Sequence, residues 1–143
     1  MIEDSELCFN NCLYFTISKL ARTITKMAEE EFSLAGVSPS QAFILMVVNE
    51  NPGVTQKEIS EQLNLAPSTM TRFVDSLAHK GLLERKAEKK NALVFPTPRG
   101  QQMQPLLEQT WHSLYERYSS IIGEENSSML ADMLINAAQK LGS

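Results

Sequence analysis

The stretch from Thr55 to Gly81, TQKEISEQLNLAPSTMTRFVDSLAHKG, leaves few choices of fold, because two helical patterns stand back to back with only a turn between them. Thr55 can cap the free amides of a first helix, and Glu58, three residues on, can reach back to complete a capping box. Ile59 and Leu63, four apart, form the buried stripe of that helix. Asn64 tolerates a left-handed backbone and can end it, after which Leu65 turns inward. Pro67 suits the first position of a second helix, where its missing donor is not needed and its φ is already helical. Met70, Phe73, Val74 and Leu77 then recur at three and four residues, so the second helix has one apolar face.

Near its start the other faces carry Ser68, Thr69, Thr71 and Arg72. At the front of a helix-turn-helix such positions enter the major groove, where hydroxyls reach phosphates or bases and arginine bridges the acceptors of guanine. On an isolated helix the same residues are an ordinary solvated face. The next segment favours the first reading. After Gly81 the chain runs LLERKAEKKNALVFPT, two short β-prone runs around the charged tip Glu88, Lys89, Lys90 and Asn91. A hairpin directly behind a recognition-type helix is a wing, and Lys86, Lys89 and Lys90 become phosphate contacts. Thr55, Gln56 and Lys57 at the head of the first helix and Pro67 at the head of the second complete the expected DNA-facing set.

The order of long helix, helix, helix-turn-helix, hairpin, long helix and helix resembles the MarR family of winged helix-turn-helix transcriptional regulators over nearly the whole chain. Three stretches carry the resemblance: SPSQAFILMVVNENPGVTQKEISEQL, APSTMTRFVDSLAHKGLLER, and the PTPRG that leaves the wing. It implies a mainly α fold with a small β-hairpin wing (α+β), in one domain spanning residues 1–143. Residues 36–100 would form the winged helix-turn-helix lobe that binds double-stranded DNA, and 1–35 with 101–143 mainly dimerisation helices. The resemblance further implies a homodimer on a near-palindromic operator, acting as a repressor that a small aromatic or phenolic ligand releases. By position such a ligand would meet Tyr14, Ser18, Arg22, Phe43, Met46, Met103, Leu107 and Trp111, with Arg22 as a carboxylate anchor. Methionine and aromatic residues at helical spacing are otherwise core.

Two departures from the family pattern bear on DNA binding. Ala66 stands where the family often has Ser or Asp, so the recognition helix lacks a side-chain cap. The wing lacks the usual Asp-x-Arg-Asp-x-Arg run and is a few residues short, which removes the arginine that would enter a narrow minor groove. Lysines hold phosphates as point charges and read shape less well. Binding should therefore depend more on the recognition helix and on salt than in the family at large.

The flanking segments read as helices. From about residue 5 to 32, Leu7, Leu13, Tyr14, Ile17, Leu20, Ala21, Ile24, Met27 and Ala28 recur near helical spacing. Ser38, Pro39 and Gln41 form a capped start for a helix running to about Glu50, which Asn51, Pro52 and Gly53 stop. Thr97 and Pro98 open a long helix carrying Leu106, Leu107, Trp111, Leu114, Tyr115 and Tyr118, with Pro105 expected to kink it. A last helix carries Met129, Leu130, Met133, Leu134, Ala137, Ala138 and Leu141. These stripes exceed what a small winged helix can cover alone. A partner surface is one account of the surplus, and a self-contained helical cap the other.

Charge distribution agrees with the DNA reading although the net charge is −4. Residues 53 to 100 hold eight Lys or Arg against five acids, a balance of +3, which leaves −7 for the rest of the chain. A positive lobe on an acidic body orients a protein on DNA while limiting unspecific adhesion. Cys8 and Cys12, one helical turn apart, are the only cysteines. They admit a redox-sensing reading, a metal-binding reading that would need His112 and nearby glutamates, and an inert one. No glycine-rich phosphate loop, nucleophile elbow or HExxH appears, and His79 and His112 lack a local partner arrangement, so an enzyme and a bound cofactor or metal are not expected. An acidic start and no long apolar span point to the cytoplasm and away from membranes. Three functions stay open: a ligand-released DNA-binding repressor, a winged-helix protein-interaction module without DNA binding, and a redox- or metal-responsive regulator using the cysteines.

Overall fold

The computed structural model describes residues 12–142. Helix α1, Leu13–Phe32, follows Cys12 in extended backbone and buries only Ala28 and Phe32. The expected helical residues 5 to 11, with Leu7 and Cys8, lie outside the described residues. A short 3-10 turn, Ser33–Ala35, leads through Gly36 to α2, Pro39–Glu50. Its capping box forms as expected: the Gln41 amide donates to Ser38 Oγ and the Ser38 amide to Gln41 Oε1, both at 3.2 Å. This is the central helix, burying Gln41, Ala42, Ile44, Leu45, Val47 and Val48.

A two-residue strand, β1 (Val54–Thr55), precedes α3 (Gln56–Leu63) and α4 (Pro67–His79). Thr55 and Glu58 close their capping box, and Asn64 ends α3 at φ 53°. Strands β2 (Leu83–Glu88) and β3 (Asn91–Pro96) pair antiparallel from Leu83 opposite Pro96 to Glu88 opposite Asn91. The wing is larger than a hairpin, because Val54 and Thr55 pair with Val94 and Leu93 to give the order β1-β3-β2.

The predicted long helix after the wing is divided. Thr97 caps α5, Pro98–Gln102, and after Met103 the chain continues as α6, Gln104–Ile122. Pro105 therefore sits in the first turn of α6, where no helical donor is lost, and does not kink a continuous helix as expected. Gly123, at φ 98°, separates α6 from α7, Glu124–Leu141.

One core joins these elements. Phe32, Ile44, Leu45, Val48, Ile59, Met70, Val74, Leu77, Val94 and Leu107 are its fully buried large side chains. Each such burial stabilises by about 1.5–3 kcal/mol. Met70, Val74 and Leu77 thus hold α4 by the face its sequence pattern marks as apolar, and that rotation determines which residues it presents outward. In contrast, α7 buries only Ser127 and leaves Met129, Met133, Leu134, Ile135 and Leu141 exposed.

Candidate nucleic-acid interface

Helix α4 begins at Pro67 after Ala66, whose side chain supplies no cap bond. Pro67, Ser68, Thr71 and Arg72 are exposed there and Thr69 is half-buried. Free amides at such a helix start, with the positive end of the dipole behind them, suit a phosphate oxygen. Missing side-chain capping leaves these donors available. The guanidinium of Arg72 lies 5.8 Å from the centroid of the Phe73 ring and makes no ion pair among the described residues.

The hydroxyl of Thr71 is already engaged. It donates to the Pro67 carbonyl at 3.0 Å and accepts from Gln56 Nε2 at 2.9 Å. Gln56 in turn accepts from Arg85 Nε at 3.0 Å, and Arg85 Nη1 pairs with Asp75 at 2.8 Å. Helix α3, helix α4 and strand β2 are thereby joined by side chains on the face that carries the expected contacts. Arg85 was not among the residues singled out in the sequence. Its partners come from two other elements, and no local pattern marks it.

At the tip of the wing Lys89 and Lys90 form the two-residue connection between Glu88 and Asn91, and Lys89 has φ 56°. Both lysines are exposed. Lys86 is also exposed, with its ammonium 4.8 Å from the centre of the Phe95 ring. Between wing and helices runs a groove of about 580 Å³, lined by Thr55, Gln56, Lys57 and Pro67 together with Lys90 and Asn91. Thus the structure brings Thr55, Gln56, Lys57, Pro67 and Lys90 to one concavity, with Lys86 and Lys89 on the hairpin beside it.

The expected ligand-cleft residues are more dispersed. Leu107 is fully buried in the core. Phe43 meets the edge of Trp111 at 4.8 Å between centroids, while Trp111 remains 45% exposed. Tyr14 and Arg22 are exposed on α1, Ser18 is half-buried, and Met103 packs against the core. Met46 lines a separate recess with Asn49, Glu50, Gln104 and Glu108. Cys12 is half-buried, and Cys8 falls outside the described residues. Among the described residues no three His, Cys, Asp or Glu side chains are grouped to hold a metal ion, and no single helix is long and apolar enough to cross a membrane.

A helix pair with the second helix standing proud at its start, backed by a three-stranded sheet with a lysine tip, is a winged helix-turn-helix. The profile of the MarR family matches residues 37–92, which hold α2, the helix pair and the wing as far as Ala92. Over that span the chain carries a MarR-family domain, and the curated relatives it matches are HTH-type transcriptional regulators. It is similar to the uncharacterized HTH-type transcriptional regulator YybA of Bacillus subtilis, 26% identical over 119 residues that cover 80% of this chain and 79% of that protein. Among solved structures it resembles a putative MarR family transcriptional regulator from Listeria monocytogenes complexed with 26mer DNA. The TM-score is 0.75 at 25% identity, covering 98% of this chain and 90% of the other. CouR from Rhodococcus jostii RHA1, bound to p-coumaroyl-CoA, shares the fold at a TM-score of 0.78 and 21% identity, covering 91% and 94%.

Proposed function

We propose that this MarR-family protein is a sequence-specific DNA-binding repressor, which binds a near-palindromic operator as a homodimer in the cytoplasm and is released by a small aromatic or phenolic ligand. The observation that carries the reading is the start of α4: an uncapped helix end with Ser68, Thr69 and Arg72 in its first turns, whose Pro67 shares a groove with Lys90 of the wing. In this reading Arg72 and the small hydroxyls read bases, while Lys57, Lys86, Lys89 and Lys90 hold phosphates. A related regulator in complex with DNA supports it.

Dimerisation is supported by the apolar side chains left on the flanking helices. Leu13, Tyr14, Phe15 and Ile17 on α1 and Met129, Met133, Leu134, Ile135 and Leu141 on α7 are exposed. Contiguous apolar surface of that kind marks an interaction site. We assign 36–100 to the DNA-binding lobe and 1–35 with 101–143 mainly to pairing within a single domain. A twofold pair places two recognition helices at a fixed separation, and both bind only when it matches the groove repeat. A ligand that favours another separation shifts the population away from DNA. CouR with its bound thioester supports a ligand on this fold, and half-exposed Trp111 beside Phe43 is an aromatic platform for one.

Selection of bound fragments from random duplex DNA, followed by mobility-shift titration at several salt concentrations, tests the reading. A single palindromic consensus bound by a dimer is expected. Fragments with no common sequence, or binding by a monomer, would sink it. Quenching of Trp111 emission by phenolic acids, with loss of the shifted band, tests release.

A further inference from the structure

We propose that Arg85 is a positioning residue that fixes the polarity of the Gln56 amide, so that Gln56 meets DNA as a hydrogen-bond donor and adds to sequence preference. This deepens the DNA-binding reading and rests on it. The two ends of a glutamine amide are nearly alike in shape, and their orientation is decided by the partners around them. Here the partners leave one choice. Arg85 Nε, which can only donate, stands 3.0 Å from one end and makes it the oxygen. The other end is then the nitrogen, 2.9 Å from Thr71 Oγ. Thr71 is committed as acceptor there, because its own proton goes to the Pro67 carbonyl at 3.0 Å. Donor, acceptor and donor therefore run in one direction from the wing to the first turn of α4.

Arg85 is itself held in place. Nη1 pairs with Asp75 at 2.8 Å and Nη2 reaches the Thr71 carbonyl at 3.5 Å. Three of its five N–H groups are thereby turned to acceptors of the protein, and the proposal gives Arg85 a positioning role in place of a phosphate clamp. Gln56 keeps one N–H beyond the Thr71 bond and lines the groove between α3 and the wing tip. A partner at that point must offer an acceptor: a phosphate oxygen, or N7 or O6 of a purine edge. Without Arg85 the polarity rests on Thr71 alone, whose hydroxyl can rotate its proton from the Pro67 carbonyl to an amide oxygen, so the amide can turn over and the discrimination is lost.

Duplexes selected by the wild-type protein and scrambled controls provide the test, titrated against Arg85→Met, Gln56→Ala, the double variant and Ile44→Val. Arg85→Met and Gln56→Ala should each lower the preference for selected over scrambled DNA by about fivefold to tenfold, the range of one lost hydrogen bond. The double variant should lose no more than either single one, because Arg85 acts through Gln56. Ile44→Val, a core change outside this network, should lower the unfolding midpoint yet keep the preference, which separates positioning from a merely structural role. The dependence of log affinity on log salt should be unchanged in Arg85→Met. A salt slope lower by about one would place Arg85 on a phosphate and overturn the proposal. So would wild-type preference in Arg85→Met, or losses that add in the double variant. A wild-type protein with no preference for any selected duplex would instead overturn the regulator reading, and this inference with it.

Discussion

The side-chain amide of Gln41 donates to the hydroxyl of Ser76 at 3.1 Å, tying the first turn of α2 to the middle of the recognition helix. Gln41 is buried, accepts from the Ser38 amide, and lies 3.4 Å from Lys80 Nζ, which also donates to the Gly36 carbonyl at 3.0 Å. Replacing it with alanine removes one arm of the capping box and the bridge to α4 together. Gln41→Ala should cost about 1–2 kcal/mol, the scale of a cap plus a hydrogen bond. Urea unfolding would show it as a lower midpoint with an unchanged slope.

Gly100 is a second fixed point, for a different reason. A Cβ there would run into the carbonyl oxygen of Leu82, with Leu45 Cδ1 at 3.2 Å behind it. Both obstacles belong to the core, so neither can yield cheaply. Gly100→Ala should destabilise by about 3 kcal/mol or more through overpacking. Gly36, at φ 76° with no atom within 4 Å of a Cβ, provides the comparison, since Gly36→Asn should cost about 1 kcal/mol or less. Equal thermal midpoints for these two variants would contradict the packing argument.

The wing tip separates stability from DNA affinity. Lys89 occupies a left-handed conformation, which costs a residue other than glycine about 1–2 kcal/mol. Glycine relieves that strain but gives up about 0.5–1 kcal/mol in chain entropy. Lys89→Gly should therefore unfold within about 1 kcal/mol of wild type, on the stable side. On the DNA-binding reading it also removes one phosphate contact, which should lower the salt slope by about one and weaken selected and scrambled duplexes alike. A loss confined to the selected duplex would assign base reading to the wing instead.

Tyr118 responds to alkali. Burial raises its pKa above the ordinary 10.0, and the neighbouring Tyr115 adds to the rise by repulsion when both are charged. An acid whose folded pKa lies above its unfolded value leaves stability intact below the unfolded pKa and removes it as pH climbs through the folded one. Stability should accordingly fall above about pH 10. In Tyr118→Phe the fall should be shallower, as read by chemical unfolding at stepped pH.

What the sequence made legible was whatever repeats locally. The apolar spacing of α4, the capping boxes at Ser38 and Thr55, the left-handed Asn64 and the uncapped Ala66 all depend on neighbours within four residues, and the structure shows each of them. Strand β1 was not legible, because two residues carry no period and their partners Val94 and Leu93 lie far along the chain. The division at Met103 was missed for a related reason: Pro105 is as consistent with a fresh first turn as with a kink, and packing decides. At the candidate interface, exposure of Ser68 and Arg72 followed from the helical wheel. The engagement of Thr71 had a signal in the tendency of threonine to bond a carbonyl four residues back. The link through Arg85 had none, since it joins residues from three elements.

Helix α7 has a consequence for the response curve. A helix of 18 residues that buries one side chain within its own subunit draws little stability from it. On the dimer reading, its ordering and the joining of two subunits become a single equilibrium set by copy number. Where most subunits are unpaired and the operator is far from filled, halving the amount of protein lowers operator occupancy by more than half, because both the pairs and their binding are diluted. A cell could thus turn a graded change in synthesis into a sharper change in repression before any ligand arrives.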